Sequence, residues 1–139
     1  DMKNIIFPAI ILLFTLFVSC DNEPELKSEN TALLTGSWTN PVLEDSIYTF
    51  TRATSLKENN YGLTFKADNQ LVERKIAGWC GTPPVAYSDY LGTWTEVDST
   101  LYISSFFWGG TVHYQWKIVS LDNQNLILRI IREDYIYTE

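Results

Sequence analysis

The side chains in this sequence that could take part in catalysis form no recognisable catalytic constellation. The 139 residues contain two cysteines, Cys20 and Cys80, and a single histidine, His113. A cysteine nucleophile needs a nearby base, and nothing in the sequence brings His113 to Cys80. A glycosidase needs two carboxyl groups at a defined separation, and no pattern establishes that geometry for Asp89 and Glu96. We therefore predict a protein that binds its target without transforming it, and we interpret Cys80 as a buried, inert thiol.

Metal and nucleic-acid sites are not indicated either. If Cys20 is set aside, the sequence has one histidine and one thiol, and their spacing is not that of the ligands of a known type of metal site. The formal net charge is -7, and the 10 lysines and arginines are scattered along the chain. Phosphate binding requires a basic stripe, which this distribution does not provide. We expect no cofactor, no metal and no nucleic-acid partner.

An apolar run at residues 5–18 follows a short start that carries one positive charge. Its length and flanks are typical of a signal peptide, and it is shorter than the ~20 residues that span a bilayer. Its end, Leu-Phe-Val-Ser-Cys at residues 16–20, resembles the lipobox of bacterial lipoproteins. The resemblance implies that residues 1–19 are a cleaved signal peptide and that Cys20 is lipidated. A plain secretory signal or a short membrane anchor is the alternative interpretation.

Residues 20–33 are polar and are predicted to be the lipidated cysteine and its acidic tether. Each buried methylene contributes ~0.8 kcal/mol, so stable anchoring through Cys20 takes two or more acyl chains. The acidic run at residues 21–25 resembles the surface-export tether of lipoproteins from the Bacteroidetes group, and a solvated linker is an equal alternative. The predicted location is the outer membrane of a bacterial cell envelope, on its periplasmic or its surface side.

Residues 34–139 are predicted to form one domain of about eight β-strands. The alternation is clearest at residues 112–118, where the even-numbered residues are apolar or aromatic and the odd-numbered ones are polar. Turn sequences occur at residues 67–70, 98–99, 108–110 and 122–125. No helical period follows the leader. Because closure removes the exposed edges of a sheet, the predicted fold is all-β, a small antiparallel up-and-down barrel.

Two short motifs add a family resemblance to this prediction. Gly36-Ser37-Trp38 resembles the Gly-x-Trp start of lipocalins and lipocalin-like lipoproteins, and residues 92–95 repeat it. The cysteine-containing loop at residues 79–81 is similar to one in Bacteroidetes lipoproteins. The resemblance covers roughly residues 33–132 and implies a lipocalin-like barrel whose lower end is closed by Trp38. The chain is shorter than a full lipocalin, so a barrel without a large internal ligand cavity is an alternative.

The aromatic residues provide the candidate binding site. Trp38, Trp94 and Trp116 lie on predicted strands and are assigned to the core. Trp79 lies in a loop predicted over residues 77–90, and Trp108 lies in a second predicted loop. Eight strands enclose an interior wide enough either for packed side chains or for one small ligand. Both roles are therefore considered for the two loop tryptophans.

A run of three aromatics at residues 106–108 precedes a glycine pair, and three neighbours cannot all face one side of a strand. At least one is therefore expected to be exposed for contact. The tentative ligand-binding residues are Trp79, Tyr87, Tyr90, Phe106 and Trp108. The predicted ligand is a small apolar molecule or a glycan at an aromatic-lined barrel mouth. The alternative is a protein-interaction module of the cell envelope, either a complex component or a hydrolase inhibitor.

Overall fold

The computed structural model describes residues 29–78 and 82–139. Cys20, Trp79 and Cys80 lie outside the described residues. The predicted lipidation site, one candidate binding residue and the second thiol are therefore not placed. The described elements are α1 Glu29–Leu34, β1 Gly36–Glu44, β2 Ile47–Ala53, β3 Gly62–Phe65, β4 Gln70–Ile76, β5 Tyr87–Val97, β6 Thr100–Phe107, β7 Gly110–Leu121 and β8 Asn125–Tyr137. The strands close into an antiparallel barrel, which confirms the predicted all-β, eight-stranded up-and-down architecture.

Tight turns join several of the neighbouring strands. Asp45 and Ser46 connect β1 to β2 with φ angles of 48° and 63°, and Asp98 and Ser99 connect β5 to β6 with 50° and 61°. Positive φ at both central residues is the type I′ geometry, whose twist matches that of the flanking strands. Aspartate adopts this conformation more readily than bulky residues, because its short side chain can form hydrogen bonds with groups nearby in the chain.

The order of strands around the barrel departs from chain order at β1 and β2. Strands β3 to β8 pair consecutively, but β3 pairs with β1, and β2 closes the barrel against β8. β2 and β3 therefore run in the same direction, and residues 54–61 connect them across β1. Lys57 and Asn60 of this connection donate hydrogen bonds to the side-chain oxygen of Asn40 on β1, at 2.9 and 3.4 Å. These bonds hold the crossing segment against the strand beneath it.

The barrel interior is filled with bulky side chains. Trp38, Trp94 and Trp116 are each at most 1% exposed, which confirms their assignment to the core. The even-numbered residues from Val112 to Ile118 are also buried, as the alternation predicts. Burial of large aromatic and aliphatic side chains is the main favourable contribution to folding, at ~25 cal/mol per Å² of apolar surface.

The short helix α1 closes one end of the barrel, although residues 29–33 are predicted from the sequence as tether. Six residues are too few for a stable isolated helix, so contacts with the barrel must hold it. Leu34 is fully buried, and Nε1 of Trp38 donates to its carbonyl oxygen at 2.9 Å. The Arg52 guanidinium lies 4.1 Å from the Trp38 ring centroid and donates to the carbonyl oxygens of Leu33 and Thr35.

Candidate functional site

The other end of the barrel opens into a cavity. Asn30 of α1 lies 3.3 Å from Ser99 in the turn before β6, whereas Trp108 follows the last residue of that strand. The eight residues of β6 span about 25 Å at ~3.3 Å per residue, so Trp108 is far from α1. We call this open end, with its cavity of about 290 Å³, the mouth.

Of the described residues, eleven line the mouth, and eight of these are aromatic. They are Tyr48, Tyr61, Tyr87, Phe107, Trp108, Tyr114, Trp116 and Tyr135, and the other three are Lys75, Ile76 and Glu133. Ring faces joined to a few polar groups are the usual composition of a small-molecule site.

Of the four predicted ligand-binding residues that the structure describes, Tyr87 and Trp108 line the mouth. Tyr87 and Tyr90 belong to β5, which begins inside the loop predicted over residues 77–90. Tyr90 is not part of the lining; its hydroxyl donates to the carbonyl oxygen of Ala77 at 3.1 Å. Phe106 is not part of the lining either, because alternation on β6 turns Phe107 inward, 8% exposed, and Phe106 outward, 59% exposed.

The rim of the mouth is an aromatic cluster centred on Phe107. Its ring packs edge-on against Trp108, Tyr135 and Tyr137, with centroid distances of 5.7, 5.4 and 5.2 Å. Such pairs contribute ~0.5–1.5 kcal/mol beyond their buried area. Trp108 nevertheless remains 46% exposed, so one face is available to a ligand.

A deeper aromatic layer lies below the rim. Tyr114 stacks on Trp116 with centroids 4.5 Å apart, and Tyr48 lies 5.7 Å from the same tryptophan. Tyr48 also stacks on Tyr61 at 6.4 Å. The sequence analysis missed the tyrosines of this layer, although Tyr114 lies on the strand whose inward alternation it predicts.

A buried carboxylate, Glu73, lies beneath the lining of the mouth and was not predicted from the sequence. We call Glu73 and the groups that bind it the polar floor. Glu73 is fully buried, and Nζ of Lys75 donates to its Oε2 at 2.6 Å. Its Oε1 accepts hydrogen bonds from the hydroxyls of Tyr61 and Tyr114, at 2.6 and 2.9 Å. A buried charge is tolerated only when it is paired and hydrogen-bonded in this way.

The hydroxyls of Tyr48, Tyr61 and Tyr114 are held in their neutral form, because the pKa of each is raised. Burial, followed by the charge of Glu73, raises the pKa of both Tyr61 and Tyr114. Burial, followed by the charge of Glu133, raises the pKa of Tyr48 to about 12. These tyrosines therefore act as hydrogen-bond donors at physiological pH.

Glu133 on β8 is the second carboxylate of the mouth. It accepts a hydrogen bond from Nε1 of Trp116 at 3.1 Å. Burial raises the pKa of this carboxyl group most, and the charge of Glu73 raises it further. The hydrogen bond from Trp116 and the charge of Lys75 lower it, and the net change is an increase.

Other kinds of site are not found in the part of the chain that the structure describes. There, no group of three or more His, Cys, Asp and Glu residues is placed to hold a metal ion. No helix within residues 29–78 and 82–139 has the length and apolar character needed to cross a membrane. Comparisons with protein-family models, with curated proteins and with solved structures give no match to this chain.

Proposed function

We propose that the barrel binds a small ligand at its mouth through the aromatic residues there. The observation that carries the proposal is the difference between the two ends. One end is closed by α1 and Trp38, whereas the other opens into a cavity of about 290 Å³ with eight aromatic lining residues. Flat rings and neutral hydroxyls suit an apolar molecule or the face of a sugar ring.

The proposal includes a lipid anchor at Cys20 and a place in the outer membrane of a bacterial envelope. Its support is the lipobox-like pattern at residues 16–20, together with the position of α1. The chain that precedes Glu29 joins the barrel at the closed end, far from Trp108. An anchor at that end leaves the mouth accessible to a ligand, whichever side of the membrane it faces.

A ligand panel with two matched variants tests the proposal. Apolar compounds and oligosaccharides are titrated into residues 21–139 while tryptophan fluorescence is recorded. We expect a bound ligand to lose on the order of tenfold in affinity in Trp108→Ala, because ring stacking is removed. Phe106→Ala should bind normally, since that side chain faces away from the cavity. Binding that is equally weakened in both variants, or absent for every compound, would contradict ligand binding at the mouth.

A protein-interaction module is the second candidate, and the outer wall of the barrel favours it. Leu91, Phe106 and Ile136 are 63%, 59% and 53% exposed. The strand register places them in one row across the sheet. Gly92 pairs with Ser105, so the preceding Leu91 lies level with Phe106 on the antiparallel neighbour. Phe106 pairs with Thr111, and Thr111 pairs with Ile136. Exposed apolar groups in such a row are typical of contact surfaces.

The same two variants discriminate between the candidates. Under the protein-interaction hypothesis, Phe106→Ala should reduce capture of an envelope protein from detergent extracts, and Trp108→Ala should not. Capture that depends on Trp108 alone would assign the contact to the mouth and would exclude the outer row.

A further inference from the structure

Glu133 forms an ion pair with no described residue. The ion pairs within residues 29–78 and 82–139 join Arg74 to Asp89, Lys75 to Glu73 and Arg132 to Asp134. Glu133 instead accepts the single hydrogen bond from Trp116 and faces the cavity. Glu133 is half-buried, and the nearest described cation, Lys75, is paired with Glu73 and acts on Glu133 only from beyond ion-pair distance. A cation supplied from outside could therefore pair with Glu133 directly.

Aromatic rings lie around this carboxylate. Trp116 donates to it, Tyr114 stacks on Trp116 at 4.5 Å, and Tyr48 lies 5.7 Å from the same ring. Tyr135, two residues further along β8, lines the same cavity. The faces of Tyr and Trp rings attract cations electrostatically, and the attraction strengthens where water is excluded.

The cavity already accommodates one ammonium group, that of Lys75. Its Nζ lies 5.3, 5.8 and 6.0 Å from the ring centroids of Tyr90, Tyr114 and Phe107. These distances are those of cation–π contacts. Glu73 balances the charge of Lys75 through the 2.6 Å ion pair. Among the described residues, Lys75 and Glu133 in the lining and Glu73 beneath it give one positive and two negative side chains. One negative charge, that of Glu133, is therefore left unbalanced.

We propose that the ligand of the mouth is an organic cation, an amine or quaternary ammonium compound. Its charged nitrogen lies against Glu133 and the Tyr48 and Trp116 rings, and its apolar body contacts the rim at Trp108. This inference rests on the proposed ligand-binding function and specifies the charge that the ligand carries.

Calorimetric titration with three small probes tests the inference. Benzylammonium and benzyltrimethylammonium carry the charge, and benzyl alcohol has a similar body without it. With the wild-type protein at pH 8, the two cations should bind on the order of tenfold more tightly than the alcohol. In Glu133→Gln the preference should disappear, while the affinity for benzyl alcohol stays within about twofold.

Asp134→Asn is the matched control, because Asp134 is the next residue along β8 and pairs with Arg132 outside the cavity. It should keep the full preference, and thermal unfolding should show that both variants are folded. Cations that bind no better than benzyl alcohol, or a preference that survives in Glu133→Gln, would overturn the inference. If only uncharged panel ligands bind, and their binding depends on Trp108, the cation is excluded and the binding function stands. Failure of every panel ligand and probe would reject both.

Discussion

Nζ of Lys75 lies 2.6 Å from Oε2 of Glu73, two residues earlier on the same strand and inside the barrel. Removing one partner of a buried ion pair typically costs about 3–5 kcal/mol, because the other charge is left without compensation. We therefore expect Lys75→Met to lower the free energy of unfolding by that order, measured by urea denaturation.

Two further variants serve as controls for this expected loss of stability. Arg74→Met removes the adjacent, outward-facing cation, whose 2.6 Å pair with Asp89 is exposed to water, and it should cost under about 1 kcal/mol. The double variant Glu73→Leu with Lys75→Leu should cost less than the sum of its single changes, since no buried charge remains. Equal losses for Lys75→Met and Arg74→Met would mean that β4 presents the opposite face to the interior.

The neighbours Trp116 and Lys117 point to opposite sides of β7. Trp116→Ala should lower the free energy of unfolding by about 3–5 kcal/mol, because it opens a cavity among packed rings. Lys117→Ala should cost less than about 1 kcal/mol, since its ammonium bonds only to the carbonyl oxygen of Asp98 at the surface. Chemical denaturation of both variants provides the measurement, and similar losses would show that the register of β7 is different.

Gly110 begins β7 with a φ angle of 153°, which side chains rarely adopt. A Cβ atom there would overlap the carbonyl oxygen of Ile136 on the paired strand. Gly110→Ala should therefore destabilise the protein by on the order of 1–3 kcal/mol in thermal unfolding. Gly78→Ala is the control, since a Cβ atom there meets no described atom within 4 Å, and its cost should stay within about 0.5 kcal/mol.

Glu133 makes stability depend on pH in an unusual direction for a carboxylate. Burial raises its pKa above the ordinary value of 4.5, so the folded state binds the proton more tightly than the unfolded state. Its contribution to stability is therefore present below pH 4.5 and falls as the pH rises through the folded pKa. Urea denaturation from pH 4 to 8 should show this loss in the wild type and not in Glu133→Gln.

Asp122 is an internal control, because its contribution to folding stability changes with pH in the opposite direction. Backbone N–H groups of Gln124 and Asn125, each 2.7 Å from its Oδ1, lower its pKa below the ordinary 3.8. Its stabilisation is present above pH 3.8 and is lost as the pH falls through the folded value. A wild type and a Glu133→Gln variant with the same pH profile above pH 4.5 would refute the assignment to Glu133.

The proposed lipid anchor at Cys20 leads to a prediction about a residue that the structure does not describe. Cys20→Ala should release the protein from membranes or leave its precursor uncleaved, because the acylated sulfur is removed. Incorporation of radiolabelled palmitate, followed by membrane fractionation, measures this. Cys80→Ala should incorporate the label normally. Palmitate incorporation that persists in Cys20→Ala would disprove the lipobox interpretation.

The strands and turns were predictable because local patterns determine them. The alternation at residues 112–118 places Tyr114 and Trp116 inside, and the turn predicted at Asp98 and Ser99 is found there. The start of β5 was not predictable, because Tyr87 joins the sheet only through its pairing with Ile76. That partner lies across a loop whose conformation the local sequence does not indicate.

The polar floor could not be predicted for a different reason. The sequence contained one indication that Glu73 and Lys75 face the interior. Both alternate with the apolar Leu71 and therefore lie on the same face of β4. Opposite charges two residues apart are, however, equally typical of a solvated face. Burial of Glu73 depends on hydroxyls from Tyr61 and Tyr114, which come from distant parts of the chain.

The exchanged positions of β1 and β2 also have a consequence for folding kinetics. Strands β3 to β8 can assemble as successive hairpins, whereas Ile47 pairs with Arg129 across nearly the whole barrel sequence. Closing so long a segment costs entropy before any contact compensates it, and non-local pairing slows folding. We therefore expect the β1–β2 hairpin to insert last, as one unit, between the unpaired edges of β3 and β8. This insertion should limit the rate at which the native barrel forms.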